Sequence, residues 1–249
     1  MVRTRDHWLL FLFLASCVLH PAGCFTRYIF RAQGLPRGNN VPTVSTCGQS
    51  KHVHATRDRT SGVRIMRAAL KVEPTHQLGM GTVVIASPEN YGHMTYRAVA
   101  LVFECGDDRK TKAVCLDKGL DFDVGDVITA DLGPLAGNRL FRGGEDGGSA
   151  AIMFHEYDLP GSRPVGDSGL FAGGFEAAKC LVADGEAQPQ DFKFFFNYLS
   201  WPPGRLEEEV ETGLWQLVTL PNDVVLDARR MRDMELWDRV GRALRQADS

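Results

Sequence analysis

Residues Pro189–Trp215 read PQDFKFFFNYLSWPPGRLEEEVETGLW, and the fold is decided here. On an extended chain, Phe192, Phe194, Phe196 and Tyr198 fall to one side, and Lys193, Phe195, Asn197, Leu199 and Trp201 to the other. The spacing predicts a strand with apolar side chains on both faces. Pro202 and Pro203 stop that strand, because neither offers an N–H to a ladder, and they pre-set the backbone for a helix start. Leu206, Val210 and Leu214 then recur every four residues as one apolar stripe. Glu207, Glu208, Glu209 and Glu211 crowd the early turns, mostly away from it. Gly213 closes the helix, and Leu214–Leu220 reads as a further strand. Strand, helix and strand form one βαβ-like core unit.

Upstream of this unit, Gly81–Ala86, Tyr96–Glu104 and Lys110–Leu116 are β-branched, apolar strands. The Gly106-Asp107-Asp108 turn joins the last two as an antiparallel hairpin. Gly119–Leu135, rich in Asp and Gly, is expected as a surface loop. Arg139–Arg142 and Ala150–His155 are short strands flanking Gly143–Gly148, read as a flexible loop. Asp158–Gly166 reads as loop, Gly169–Ala172 as a strand and Phe175–Ala183 as a helix ended by Asp184-Gly185. Val63–Val72 is expected to make a helical turn and Asp223–Asp227 a small edge strand. The last helix, Arg232–Gln246, places Met234, Trp237, Val240, Gly241 and Leu244 on one face. No internal repeat occurs, and the mature chain has no apolar stretch long enough to span a bilayer.

Asp191–Trp201, then Gly204-Arg205-Leu206-Glu207 and Leu214-Trp215, resemble the signature of the AlgH/YqgE family: roughly D-F-R-F-F, G-Y-x-G-W, G-Q-L-x-x-E and a tryptophan. Phe194, Tyr198, Trp201, Gly204, Leu206 and Trp215 are the signature positions. Further matches are Gly81–Pro88, Arg97-Ala98-Val99, Leu140–Gly144, Gly169–Gly174 and Leu236-Trp237, so the resemblance covers about residues 76–246. It implies a mixed, partly barrel-like sheet with helices packed on it, no established enzymatic activity, and a regulatory label on bacterial relatives. One departure matters. Where the family has a G-x-V-x-N-R-P-like turn, this chain reads Ala113-Val114-Cys115-Leu116-Asp117-Lys118-Gly119, and the family's preceding His is absent. No role resting on that turn carries over.

Charge is unevenly distributed along the 249 residues. Residues 1–64 hold nine Lys/Arg and two acids, which leaves 19 basic and 29 acidic residues in 65–249, a net charge of −10. Met1–His7, the apolar Trp8–Val18 and Ala22-Gly23-Cys24 read as a signal peptide spanning 1–24. Residues 25–64, basic and hydroxyl-rich without apolar periodicity, have transit-peptide composition and are expected to be disordered. Such a bipartite leader resembles those that direct proteins to secondary plastids of algae; secretion is the alternative. Against secretion stand the lack of an Asn-x-Ser/Thr sequon and the odd number of cysteines left after the leader: Cys105, Cys115 and Cys180.

Candidate chemistry is sparse. Gly166-Asp167-Ser168-Gly169 matches the setting of a serine-protease nucleophile, but Ser168 lacks a recognisable triad and is read as a turn residue. His155, Glu156 and Asp158 are poor metal ligands, since adjacent strand residues point to opposite faces. Gly173 and Gly174 before Phe175 expose helix-start N–H groups that could hold an anion, although Glu176 competes there. Glu145 and Asp146 argue against phosphate binding at Gly143–Gly148. The acidic body argues against nucleic acid, which needs clustered Lys and Arg. The basic C-terminal run from Arg229 to Arg245 is interleaved with acids and reads as helix surface. The reading is therefore a single mixed α/β domain over 70–246 with no cofactor and no metal. It is a non-enzymatic plastid protein that acts through an unidentified protein partner or small ligand, with a hydrolase using Ser168 or His155 as the rival.

Overall fold

The structure, a computed structural model, describes residues 70–106, 108–229 and 235–247. The expected signal peptide (1–24) and transit-like segment (25–64) lie outside the described residues. In chain order the strands are β1 (Glu73–Pro74), β2 (Val83–Ala86), β3 (Val99–Glu104), β4 (Thr111–Cys115), β5 (Gly119–Asp123) and β6 (Arg139–Arg142). They continue with β7 (Asp146–His155), β8 (Ser162–Pro164), β9 (Phe171–Gly173), β10 (Lys193–Trp201) and β11 (Trp215–Thr219). The helices are α1 (Val124–Val127), α2 (Phe175–Ala183), α3 (Arg205–Glu211), α4 (Asn222–Val225) and α5 (Glu235–Ala247).

The strands form one mixed sheet in the order β1-β11-β2-β3-β4-β10-β7-β9-β8, with β6 beside β10 and β5 beside β6. The mixed α/β class expected from the sequence is the one observed. The sheet is not closed into a barrel, because its path ends at β1 and β8, which do not pair with each other. β3 and β4 form the expected antiparallel hairpin. β11 lies parallel to β10 with β4, β3 and β2 between them, so the β10–α3–β11 unit is a crossover over three strands.

β10 holds the sheet together. Its C-terminal half, Leu199–Trp201, pairs with β4, while Phe194–Phe196 lies between β6 and β7. The register shifts between Phe196 and Tyr198, where Asn197 has φ 62°. The family pattern has Gly at this position, and Asn is the residue that best tolerates the left-handed region after Gly. The Asn197 side chain also accepts the Ser149 N–H at 3.1 Å. Gly143 and Gly144 press against this kink so closely that a methyl on Gly144 would overlap the Tyr198 carbonyl. The expectation of a flexible Gly143–Gly148 loop is therefore corrected: the glycines let two backbones touch, and β7 already begins at Asp146.

Three apolar clusters pack on the sheet, and each takes residues from the central stretch. Phe195 joins Leu101, Phe154 and the α5 residues Leu236, Val240 and Leu244. Leu199 and Trp201 join Val84, Leu206 and Trp215. Phe192 and Phe194 join Leu135, Leu140, Met153 and Leu181. Four further expectations are corrected. Asp223–Asp227 is not an edge strand, since Pro221 opens the short helix α4 instead. The expected loop at Gly119–Leu135 contains β5, α1 and a 3₁₀ turn, and the one at Asp158–Gly166 contains β8. The part of the expected Val63–Val72 helical turn that is described, 70–72, is not helical.

Candidate functional site

β9 runs beside β7 for two positions only, Phe171 opposite His155 and Ala172 opposite Phe154. Gly173 and Gly174 then turn the chain away into α2, with φ of 92° and 72°. Past that divergence lies a cavity of about 430 Å³. Ala151, Ile152 and Met153 of β7 form one wall, and Gly173, Gly174 and Phe175 another. Met80, Phe103, Ile128, Leu132, Pro164 and Phe194 make the remaining lining mostly apolar. Four charged residues also line it: Glu104, Arg109, Arg163 and Glu176. Glu104 is ion-paired with Lys112 at 2.8 Å and Glu176 with Lys179 at 3.2 Å.

The glycine pair singled out in the sequence thus sits on a cavity wall, beside the start of a nine-residue helix that has no side-chain cap. Gly174 is packed against Leu159 and Ser162, which leaves little room for a β-carbon. Glu176 occupies the first turn as expected, so negative charge already sits at the helix start. The geometry suits an apolar guest better than a phosphate.

Ser168 and His155 are engaged elsewhere. The Ser168 hydroxyl donates to the Val165 carbonyl at 2.7 Å and accepts the Leu170 N–H at 3.2 Å, closing the turn that the sequence reading assigned to it. His155 is fully buried. Its Nδ1 accepts the Tyr157 N–H at 3.2 Å, so Nε2 carries the proton and donates to the Gly173 carbonyl at 2.8 Å. Burial lowers its pKa, against the two backbone hydrogen bonds. A neutral imidazole stacked on Phe171 and packed on Phe192 pins β7 to the glycine turn. At the end of β7, His155 thus turns into the core and away from solvent. Among the described residues, no group of three or more His, Cys, Asp and Glu side chains is placed to hold a metal. Cys105 and Cys115 are free thiols, with burial pushing Cys115 up to about 12. Cys180 is disulfide-bonded.

Four of the signature positions, Trp201, Gly204, Leu206 and Trp215, belong to one packing device. Trp201 and Trp215 meet edge to face at 5.8 Å between ring centres, and Leu206 is fully buried beside them. Both indole N–H groups donate to one oxygen of Glu209, at 3.0 and 2.9 Å, while Arg205 binds the other oxygen at 3.0 Å. Gly204 starts α3 with φ 75°, a conformation that favours glycine. Phe194 is buried, whereas Tyr198 is half-buried, edge-on to Phe103. Glu209, read from sequence as one of several solvent-facing acids, is the residue that this device turns on.

Lys193 went unnoticed in the sequence as anything but the far side of a strand. It is 1% exposed and donates to the carbonyls of Leu116 at 2.8 Å and Val225 at 3.0 Å, with its ammonium 4.4 Å from the Phe141 ring centre. Burial lowers its pKa to about 7, with Asp227 and Asp117 opposing. Above that pH the unfolded chain keeps a proton that the folded chain has released, so stability should rise with pH towards the unfolded value of 10.5. Below it both states are charged and the dependence vanishes. Relative to Lys193→Met, the wild-type chain should gain up to about 1.4 kcal/mol per pH unit above about pH 7. Denaturant unfolding of both proteins across this range measures the gap, and a gap that does not change with pH would contradict the assignment.

The open mixed sheet, the shared strand β10 and the tryptophan–glutamate clamp together define the architecture of this domain. The AlgH-like family model matches residues 83–247, and the chain belongs to that family. A UPF0301 protein of Chlamydia muridarum is 29% identical over 162 residues, covering 63% of this chain and 83% of its own. One from Thermobifida fusca is 28% identical over 174 residues, covering 64% and 84%. The solution structure of the AlgH protein from Pseudomonas aeruginosa shares the fold, with a TM-score of 0.50 at 15% identity, covering 68% of this chain and 93% of that one. A Corynebacterium diphtheriae protein superimposes with the same TM-score at 20% identity, over 65% and 92%.

Proposed function

We propose that this protein is a non-enzymatic binding module that works by holding a protein segment or small apolar ligand in the groove beside Gly173–Phe175. The observation that carries the reading is the apolar cavity of about 430 Å³ between β7 and the β9–α2 turn. Cavities of this size and lining are the usual seats of ligands. The groove can be tested with the dye 1-anilinonaphthalene-8-sulfonate, whose fluorescence rises on entering an apolar site. Wild type should bind it, and Ala151→Trp, which fills the wall, should not; equal binding by both would remove the groove from consideration.

The non-enzymatic part of the proposal is supported by the engagement of Ser168 and His155 in turn and core hydrogen bonds. A serine hydroxyl without an adjacent base is a weak nucleophile. A fluorophosphonate probe should leave the folded protein unlabelled, and Ser168→Ala should cost no more than about 1 kcal/mol. Stoichiometric labelling lost in Ser168→Ala would establish the hydrolase instead. The compartment proposed is a plastid, on the composition of residues 1–64. A fluorescent reporter carrying that leader should enter the organelle and be diverted by Phe25→Ala; its appearance in the medium would favour secretion.

A further inference from the structure

We propose that the occupant of the groove is an extended peptide that adds a strand to the open edge of β7; the proposal rests on the groove reading above and names its partner. Successive residues of a strand point to opposite faces. Ala151, Ile152 and Met153 nonetheless all line the same cavity, so the cavity meets β7 along its edge and not on one face. Core packing agrees: Ile152 packs with the Phe103–Phe154 cluster, and Met153 with the Phe192–Phe194 cluster across the sheet. The opposite edge of β7 is filled by β10, opposite Ala151 through Phe154. On the cavity side β9 covers only Phe154 and His155 before Gly173 and Gly174 lead it away. Among the described residues, no strand pairs with Ala150–Met153 on this edge.

An edge of this kind is a template for a further strand, since every second residue turns its N–H and C=O towards it. Four residues of edge correspond to about 13 Å of extended chain. A strand lying there would turn alternate side chains towards Phe103 and Val165 on one face and Phe175 and Phe194 on the other. Both walls are apolar, so the fitting peptide is a short continuous apolar run, unlike the alternating pattern of a surface strand. The charge of the lining completes the description. Glu104 and Glu176 are each held by a lysine. Arg109 is exposed, and its guanidinium makes no ion pair among the described residues. An acidic residue beside the apolar run complements it.

The probe is a random seven-residue peptide library panned against the purified protein, with the recovered peptides resynthesised and titrated by fluorescence anisotropy. Recovered sequences should hold three or four consecutive apolar residues next to Asp or Glu. N-methylation at alternate positions removes donors from one edge of the peptide and leaves its side chains in place. One methylation phase should weaken binding at least about tenfold and the other little, because only one edge of the peptide faces β7. This comparison leaves the protein unaltered. Ala151→Trp should also weaken binding at least about tenfold. Insensitivity to both phases, or equal binding to Ala151→Trp, would overturn the added strand. If no peptide is recovered while the dye still distinguishes wild type from Ala151→Trp, the peptide proposal fails and a small apolar ligand takes its place. If the dye does not bind either, the groove reading falls with it.

Discussion

Replacing Glu209 by alanine should destabilise the protein by about 3–5 kcal/mol, because it strips the acceptor from two indole N–H groups at once. Trp201 and Trp215 are 6% and 2% exposed, so water has little access to either ring. Each stranded donor costs about 1–3 kcal/mol, and the Arg205 guanidinium loses its partner as well. Glu209→Gln keeps a carbonyl oxygen for the indoles but turns an amide N–H₂ towards Arg205, so about 1 kcal/mol is expected. Urea unfolding followed by tryptophan fluorescence reports both the midpoint and the environment of the two rings. An unchanged midpoint in Glu209→Ala would show that the clamp contributes nothing. The double substitution of Trp201 and Trp215 by phenylalanine should make Glu209→Ala nearly silent, since the donors are then gone.

Phe195→Ala should cost about 3–5 kcal/mol, a large share of the stability of a natural domain. The ring is fully buried, 5.6 Å edge-on from Phe154 and 5.8 Å from Phe141. Lys193 sits 5.3 Å from its centre, so the cavity left behind would open beside a buried ammonium. Phe196→Ala is the comparison, because that ring is only half-buried and should cost clearly less. Thermal unfolding of the two variants distinguishes them. Equal losses would mean that the two faces of β10 are not packed as described. If instead Phe195→Ala kept its stability and lost only nucleic-acid binding, the aromatics would be a stacking platform and not core.

Periodicity carried most of the framework into the sequence. The alternation of Phe192–Trp201, the Pro-Pro stop and the Leu206–Val210 stripe each led to the element observed, and Phe175–Ala183 agrees end to end. What alternation does not reveal is where a polar residue goes when both faces are buried. Spacing put Lys193 on an apolar strand face and Glu209 among acids mostly off the helix stripe; it did not reveal their partners, Leu116 and Val225 for one and Trp201 and Trp215 for the other. The Gly143–Gly148 run suffered the same blindness. Glycine signals either a free loop or a close approach of two backbones, and only the position of β10 selects the second. At Asp223–Asp227 five residues carry too little pattern to separate a strand from one helical turn, and the turn is the four-residue α4. As for the groove, Gly173–Phe175 was visible as a turn before a helix. The facing wall, Ala151–Met153, was not, because nothing local to β7 says that β9 leaves it after two pairs.

β6 and β7 are separated by three residues of chain and by one full strand of space, which β10 occupies. Synthesis runs in the other direction of dependence: both flanking strands leave the ribosome well before the residues that fill the slot between them. Until Trp201 has been made, the cluster around Phe154 lacks Phe195, the one around Val84 lacks Trp201, and the one around Leu140 lacks Phe194. Each of the three clusters therefore stays incomplete until this strand has been made. Apolar surface that waits for a late strand is surface exposed to aggregation during synthesis. Filling the slot completes the cluster around Leu140, whereas those around Phe154 and Val84 still wait for β11 and its flanking helices.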